Sequence, residues 1–174
     1  MSEGRGLLVV YTGDGKGKTT AALGMALRAL GRKLPVAIVQ FVKGRWKTGE
    51  RLFAEGVPGL ELLTLGEGFT WEGDDPELHA RAARAGWARA RDLLASARHR
   101  IVVLDELTHV VNRGWVGCDE VLEAIAARGR ATTVVVTGRD APAAIIEAAD
   151  LVTEMRSVKH PFASGVKAIA GVDF

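Results

Sequence analysis

Short apolar or β-branched runs recur along this chain and alternate with stretches whose apolar residues return every three or four positions. Val36-Ala37-Ile38-Val39, Ile101-Val102-Val103-Leu104 and Thr132-Thr133-Val134-Val135-Val136 are unbroken, as strands buried on both faces are. Together with Leu7-Leu8-Val9-Val10-Tyr11 they predict strands near residues 6–12, 35–42, 60–64, 100–105, 131–137 and 150–155. Helical spacing falls between them, around 18–31, 48–56, 76–97, 117–128 and 141–149. In the first helix Leu23, Ala26, Leu27 and Leu30 recur at that spacing, and Gly31 closes it. In the third, Leu78, Ala82, Gly86, Ala90, Leu93 and Ala97 form an inward stripe. Repeated β–α order predicts an α/β fold, a parallel sheet with helices on both faces. Ligands of such sheets bind at the carboxyl ends of the strands.

A chain of 174 residues is expected to form one domain, residues 1–174, since no repeat, low-complexity segment or Pro/Gly/Ser linker divides it. A formal charge of +2 calls for no obligatory charged partner. Cys118 is the only cysteine, which excludes an intrachain disulfide and a cysteine-based metal cluster; it reads as an inert packed thiol. No stretch has the layout of a signal peptide or approaches a membrane span, so no membrane association is expected and a reducing cytoplasm is the simplest address.

Chemistry enters directly after the first apolar run. Thr12-Gly13-Asp14-Gly15-Lys16-Gly17-Lys18-Thr19-Thr20 joins a strand to a helix through a glycine-rich turn. Backbone N–H groups and the positive end of the helix dipole then converge on one point, the requirement for gripping a phosphate. Gly13, Gly15 and Gly17 allow the turn and let the backbone approach an anion. Lys18 can reach terminal phosphates, and the Thr19 hydroxyl can ligate Mg2+. The match to G-x-x-x-x-G-K-[ST] is imperfect, because Thr12 stands where the first glycine belongs.

A second half of the site is expected at Asp105-Glu106, two acids at the tip of an apolar strand, where a carboxylate can hold the metal directly or through water. Which of the two ligates directly is open at this point. Arg139 and Lys43 each follow a strand tip and can project over the same edge; Arg139 can clamp phosphates. An Asn-Lys-x-Asp guanine-reading motif is missing, which argues against a GTPase.

Other features read as ordinary. Arg81, Arg84, Arg91 and Arg98 fall along one side of the third helix, a solvated basic face. An acidic flavoprotein electron donor, such as a flavodoxin, is a second reading of that face. Nucleic acid is not expected, because no aromatic stacking platforms interleave with the charge. His79, His99 and His109 show no metal-ligand spacing, and Trp46, Trp87 and Trp115 are expected to pack.

Five further segments carry a resemblance. Val39-Gln40-Phe41-Val42-Lys43-Gly44, Gly68-Phe69-Thr70-Trp71-Glu72, Leu104-Asp105-Glu106-Leu107-Thr108, Arg156-Ser157-Val158-Lys159-His160-Pro161-Phe162 and the ending Gly165-Val166-Lys167-Ala168 through Gly171-Val172-Asp173-Phe174 occur in one order. In this the chain resembles the P-loop type of ATP:corrinoid adenosyltransferase over residues 6–174, a family whose own loop carries its first glycine one place late. The resemblance implies a RecA-like fold with a mostly parallel six-stranded sheet, and a homodimer. It also implies transfer of the 5′-deoxyadenosyl group of ATP to a reduced corrinoid, with triphosphate released and the nucleotide reversed relative to ordinary P-loop ATPases. Phe69 and Trp71 are implied to pack against the lower face of the corrin and displace the axial ligand of cobalt. Many relatives carry a helical extension before the first strand, where about six residues stand here by the pattern reading.

Two rivals to that reading are a P-loop kinase or ATPase attacking the γ-phosphorus, with Glu106 orienting the acceptor, and a non-catalytic ATP-dependent binding module. Triphosphate as product excludes the first, and turnover excludes the second.

Overall fold

The computed structural model describes residues 4–42, 48–65, 76–161 and 165–172. Strands β1 (Leu8–Thr12), β2 (Val36–Gln40), β3 (Leu60–Thr64), β4 (Ile101–Asp105), β5 (Thr133–Thr137) and β6 (Leu151–Glu154) make one sheet in the order β3-β2-β4-β5-β1-β6. Every pairing is parallel, so the sheet is wholly rather than mostly parallel. Helices α1 (Lys18–Gly31), α2 (Gly49–Ala54), α3 (Pro76–Ser96), α5 (Cys118–Ala126) and α6 (Ala143–Ala148) lie within the predicted spans. The short helix α4 (Leu107–Asn112) was not predicted, because one and a half turns leave too few residues to establish a period.

Alternate strand residues feed two cores, the consequence of the period-two pleat. On one face Leu8, Val10, Val39, Val102, Leu104, Val134 and Val136 pack with Ala83, Trp87 and Leu94 of α3, Leu107 and Val110 of α4, Val121 and Ile125 of α5 and Ile145 of α6. On the other, Val9, Ile38, Val103 and Val135 pack with Ala22, Ala26 and Ala29 of α1. Small alanines let α1 lie close to the sheet.

Three local expectations are corrected. Leu27 shares the helical spacing of Leu23, Ala26 and Leu30 but is 62% exposed, because Ala22, Ala26 and Ala29 define the inward face of α1. Gly31 is the last helical residue, and the left-handed residue that ends the turn is Lys33. Ala97 lies beyond the end of α3 in the left-handed region and is exposed, while Trp87 and Leu94 join the buried side. The arginine side of α3 faces solvent, where Arg84 pairs with Glu77 at 3.3 Å and Arg91 with Glu120 at 3.7 Å. Trp87 packs and donates its indole N–H to Glu120 at 2.6 Å. No helix among the described residues is long and apolar enough to cross a membrane.

Candidate functional site

The carboxyl edge of the sheet carries a row of polar side chains behind its apolar strands. Thr64, Gln40, Asp105 and Thr137 end β3, β2, β4 and β5, which adjoin in that order. The Thr64 hydroxyl donates to Gln40 Oε1 at 3.3 Å, and the Gln40 amide donates to Asp105 Oδ2 at 3.4 Å. Asp105 Oδ1 accepts the Thr137 hydroxyl at 2.8 Å and the Thr19 hydroxyl of α1, also at 2.8 Å. Asp105 is 1% exposed, and a carboxylate this deep persists only with such donors. The Thr137 oxygen also accepts the Glu106 N–H at 2.9 Å. Glu106 itself sits in the left-handed region, with φ 59° and ψ 28°, an uncommon conformation for a non-glycine residue and one found at functional sites.

The glycine-rich loop lies over β1. Its helix opens on Gly17 without a side-chain cap and without an acid in the first turn, which leaves the first N–H groups of α1 free of competing carboxylates. Lys18 is 7% exposed, and its ammonium donates to the carbonyls of Gly13 at 2.7 Å and Gly15 at 2.9 Å. Burial pulls its pKa below the ordinary value of 10.5; Glu106 opposes this, Arg139 adds to it and Asp14 opposes it. Glu106, Arg139 and Asp14 are therefore close enough to Lys18 to be felt.

Gly13, Gly15, Gly17, Lys18 and Thr19 form the loop and the start of α1, with Asp14, Lys16 and Thr20 on its exposed side. Thr12 is still part of β1; it is buried, and its hydroxyl oxygen accepts the Ala141 N–H at 3.2 Å. Arg139 is exposed beside Gly138, and its carbonyl accepts the Thr108 hydroxyl at 2.6 Å. Asp105 and Thr19 meet directly, with Glu106 next in chain. Lys43, Trp46, Phe69 and Trp71 lie outside the described residues.

Gln40, Thr137 and Met155 were not assigned roles from the sequence. Gln40 and Thr137 did leave a signal, since each is a polar residue closing an apolar strand. Met155 left none, because its place against the loop depends on β6 pairing with β1. His79 stacks on Trp115 with centroids 6.1 Å apart, and Arg113 lies 5.5 Å from the same ring. Among the described residues no group of three or more His, Cys, Asp or Glu could enclose a metal. Cys118 is half-buried, and burial, then Asp119, push its thiol pKa up, away from the reactive thiolate.

Beside the loop a cleft of about 920 Å³ runs from Lys16, Gly17 and Thr19 to Asp105 and Glu106. Its lining also holds the apolar side chains of Leu23 and Leu27 of α1, Phe53 of α2, Leu60 and Val172, with Glu50 of α2 among them. The volume is at the upper end for a small-molecule site.

A wholly parallel sheet, a glycine-rich loop feeding a helix, and a threonine–aspartate contact between that helix and a second strand tip define an α/β P-loop protein. The sequence narrows the class further: residues 4–174 match the model of the family described as ATP:corrinoid adenosyltransferase BtuR/CobO/CobP, and the chain belongs to that family. It is 44% identical over 170 residues to the corrinoid adenosyltransferase of Escherichia coli (strain K12), covering 98% of this chain and 86% of the relative. It is 45% identical over 172 residues to corrinoid adenosyltransferase CobA of Salmonella typhimurium (strain LT2), with 99% and 87% covered. It is 47% identical over 171 residues to the corrinoid adenosyltransferase of Pseudomonas aeruginosa, with 98% and 84% covered.

Proposed function

We propose that this protein transfers the 5′-deoxyadenosyl group of ATP to the cobalt of a reduced corrinoid, cob(I)alamin or cob(I)yrinic acid a,c-diamide, and releases triphosphate. The observation that carries the reading is the joining of two unlike surfaces in one cleft. The glycine-rich loop and a set of apolar side chains line the same cleft, as a charged nucleotide and a large flat macrocycle require. Family membership supplies the reaction.

The chemistry suits these residues. A cob(I) centre is a strong nucleophile and needs no protein base. Its electron pair forms the bond to C5′, the C5′–O bond breaks, and that pair leaves with triphosphate. The protein must therefore stabilise a highly charged leaving group. Lys18 and the N–H groups opening α1 do this, and the Lys18 ammonium would exchange the Gly13 and Gly15 carbonyls for phosphate oxygens. Arg139 adds a second cation at the same edge.

The oxygen donors of Thr19, Asp105 and Glu106 fit Mg2+, a hard cation that takes few protein ligands and completes its shell with phosphates and water. When bound, that ion would neutralise phosphate charge. Gln40 and Thr137 hold the Asp105 carboxylate in place. Phe69 and Trp71 would serve as an apolar wall for the lower corrin face. The protein is further proposed to act as a homodimer and to receive electrons from a flavoprotein donor.

Mixing the protein anaerobically with MgATP and chemically reduced cob(I)alamin, following the corrinoid spectrum and identifying the phosphate product, tests the proposal. Light-sensitive adenosylcobalamin with triphosphate is expected. If cob(I)alamin, and then cob(I)yrinic acid a,c-diamide in its place, stay unchanged while orthophosphate accumulates, the γ-phosphate chemistry of an ATPase takes its place. The Phe69→Ala/Trp71→Ala pair is expected to spare ATP binding but impair reduction of bound cob(II)alamin.

A further inference from the structure

The backbone that follows β6 lies directly beneath the glycine-rich loop. The Met155 N–H donates to the Thr12 carbonyl at 2.8 Å, and the Met155 carbonyl accepts the Gly15 N–H at 2.7 Å. Three glycines of the loop face the same two residues. A Cβ on Gly13 would strike the Met155 carbonyl oxygen, and one on Gly15 would lie 2.7 Å from the carbonyl carbon and oxygen of Arg156. One on Gly17 would lie 3.1 Å from the Met155 sulfur.

Gly15 is the telling position. It is not among the loop residues with positive φ, so no left-handed φ calls for a glycine there. The phosphate-loop pattern leaves its place free as well. Its N–H, moreover, is already committed to the Met155 carbonyl. Only the close approach of the Met155–Arg156 backbone demands a glycine there.

From this we infer that Met155 and the Arg156 backbone are positioning elements: they form a bracket that sets the shape of the phosphate-binding loop and thereby the affinity for nucleotide. The inference rests on the nucleotide-binding role of the loop proposed above. The Met155 side chain supports Gly17, where the loop turns into α1, and the two backbone bonds fix Thr12 and Gly15 on either side of Gly13. A loop held this way is preorganised, so that little ordering is left to do when phosphate arrives.

The test uses the full chain and two measurements. Gly15→Ala is expected to lower the melting temperature without nucleotide, because the clash exists in the empty protein. Met155→Ala is expected to raise the KM for ATP and the calorimetric Kd for MgATP about tenfold or more, with kcat at saturating ATP little changed. Met155→Leu, which restores bulk against Gly17, is expected to recover most of that affinity.

The bracket is overturned if Gly15→Ala melts like the parent and loses only ATP binding, for then the glycine serves the phosphate. It is equally overturned if Met155→Ala binds MgATP like the parent. Should Gly15→Ala not fold, the comparison of Met155→Ala with Met155→Leu decides. If the parent protein itself binds no ATP, the functional proposal fails, and the nucleotide-free melting of Gly15→Ala still reports on the bracket.

Discussion

The hydroxyl of Thr19, in the first turn of α1, donates to Asp105 Oδ1 at 2.8 Å, and Thr137 donates to the same oxygen from the adjoining strand. Two hydroxyls thus orient one buried carboxylate toward the loop. Because β5 lies between β1 and β4 in the sheet, Thr137 is placed to bridge Asp105 and the Glu106 N–H. That one oxygen ties the Asp105 carboxylate to the backbone of Glu106, while Thr19 and Gln40 hold the carboxylate from other sides.

Thr137→Val should keep the shape of the side chain and remove both hydrogen bonds. Leaving the Glu106 N–H without its partner is expected to cost about 1–3 kcal/mol of stability. The loosened carboxylate should weaken the apparent Mg2+ affinity about 10–100-fold. Denaturant unfolding and a Mg2+ titration of turnover check the two effects, and Thr137→Ser should restore most of both.

Lys18→Ala is expected to reduce turnover about 10²–10³-fold, the scale for removing one donor to a developing charge. It removes two loop contacts but also one desolvated ammonium, so the nucleotide-free melting temperature should change little. The stabilisation that saturating ATP confers on the parent should disappear. Thermal melts with and without MgATP separate these outcomes.

Gly138 has φ 140°, and a Cβ there would collide with the Thr108 hydroxyl that donates to the Arg139 carbonyl. Gly138→Ala should therefore cost about 1–3 kcal/mol and move Arg139. Denaturant unfolding measures the first effect. An increased KM for ATP, larger than that of Arg139→Lys, is the expected sign of the second.

Acid should destabilise the fold through two histidines. Burial, outweighing Glu61 and reinforced by Arg98, lowers the pKa of His99; burial and then Arg113 lower that of His109. The folded state therefore prefers both rings neutral. As pH falls below the ordinary value of 6.5, the unfolded chain takes up protons first. Stability present above that pH is then lost down to the folded pKa values. The effect is sharpened at His99, whose Nδ1 is buried without a partner. Unfolding free energies between pH 7.5 and 5 should fall more steeply for the parent than for His99→Gln.

Much of this protein was legible before folding was considered. The unbroken apolar runs announced three of the strands as buried, and the β–α alternation announced a parallel sheet, because backbone pairing and burial leave few alternatives for such patterns. The glycine-rich loop, Lys18, Thr19 and the acids at residues 105 and 106 were visible because their chemistry is carried by short contiguous segments. The inward face of α1 was less legible, since a stripe of alanines reads weakly beside leucines such as the exposed Leu27 although it is the stripe that packs on the sheet.

What the sequence by itself determined is thus local: which segments are strands, where a glycine-rich loop feeds a helix and where acids end an apolar strand. The tertiary structure alone decided the order β3-β2-β4-β5-β1-β6, and with it every contact between strand tips. That order brings Gln40 and Thr137 to either side of Asp105 and lays Met155 under the loop, although these residues are far apart along the chain. The physical reason is that the hydrophobic effect, which the pattern encodes, is non-directional and rewards burial of any strand beside any other. Neighbours at the polar edge are chosen by close packing and by the hydrogen bonds that buried polar groups must find, and these exist only once the sheet is assembled.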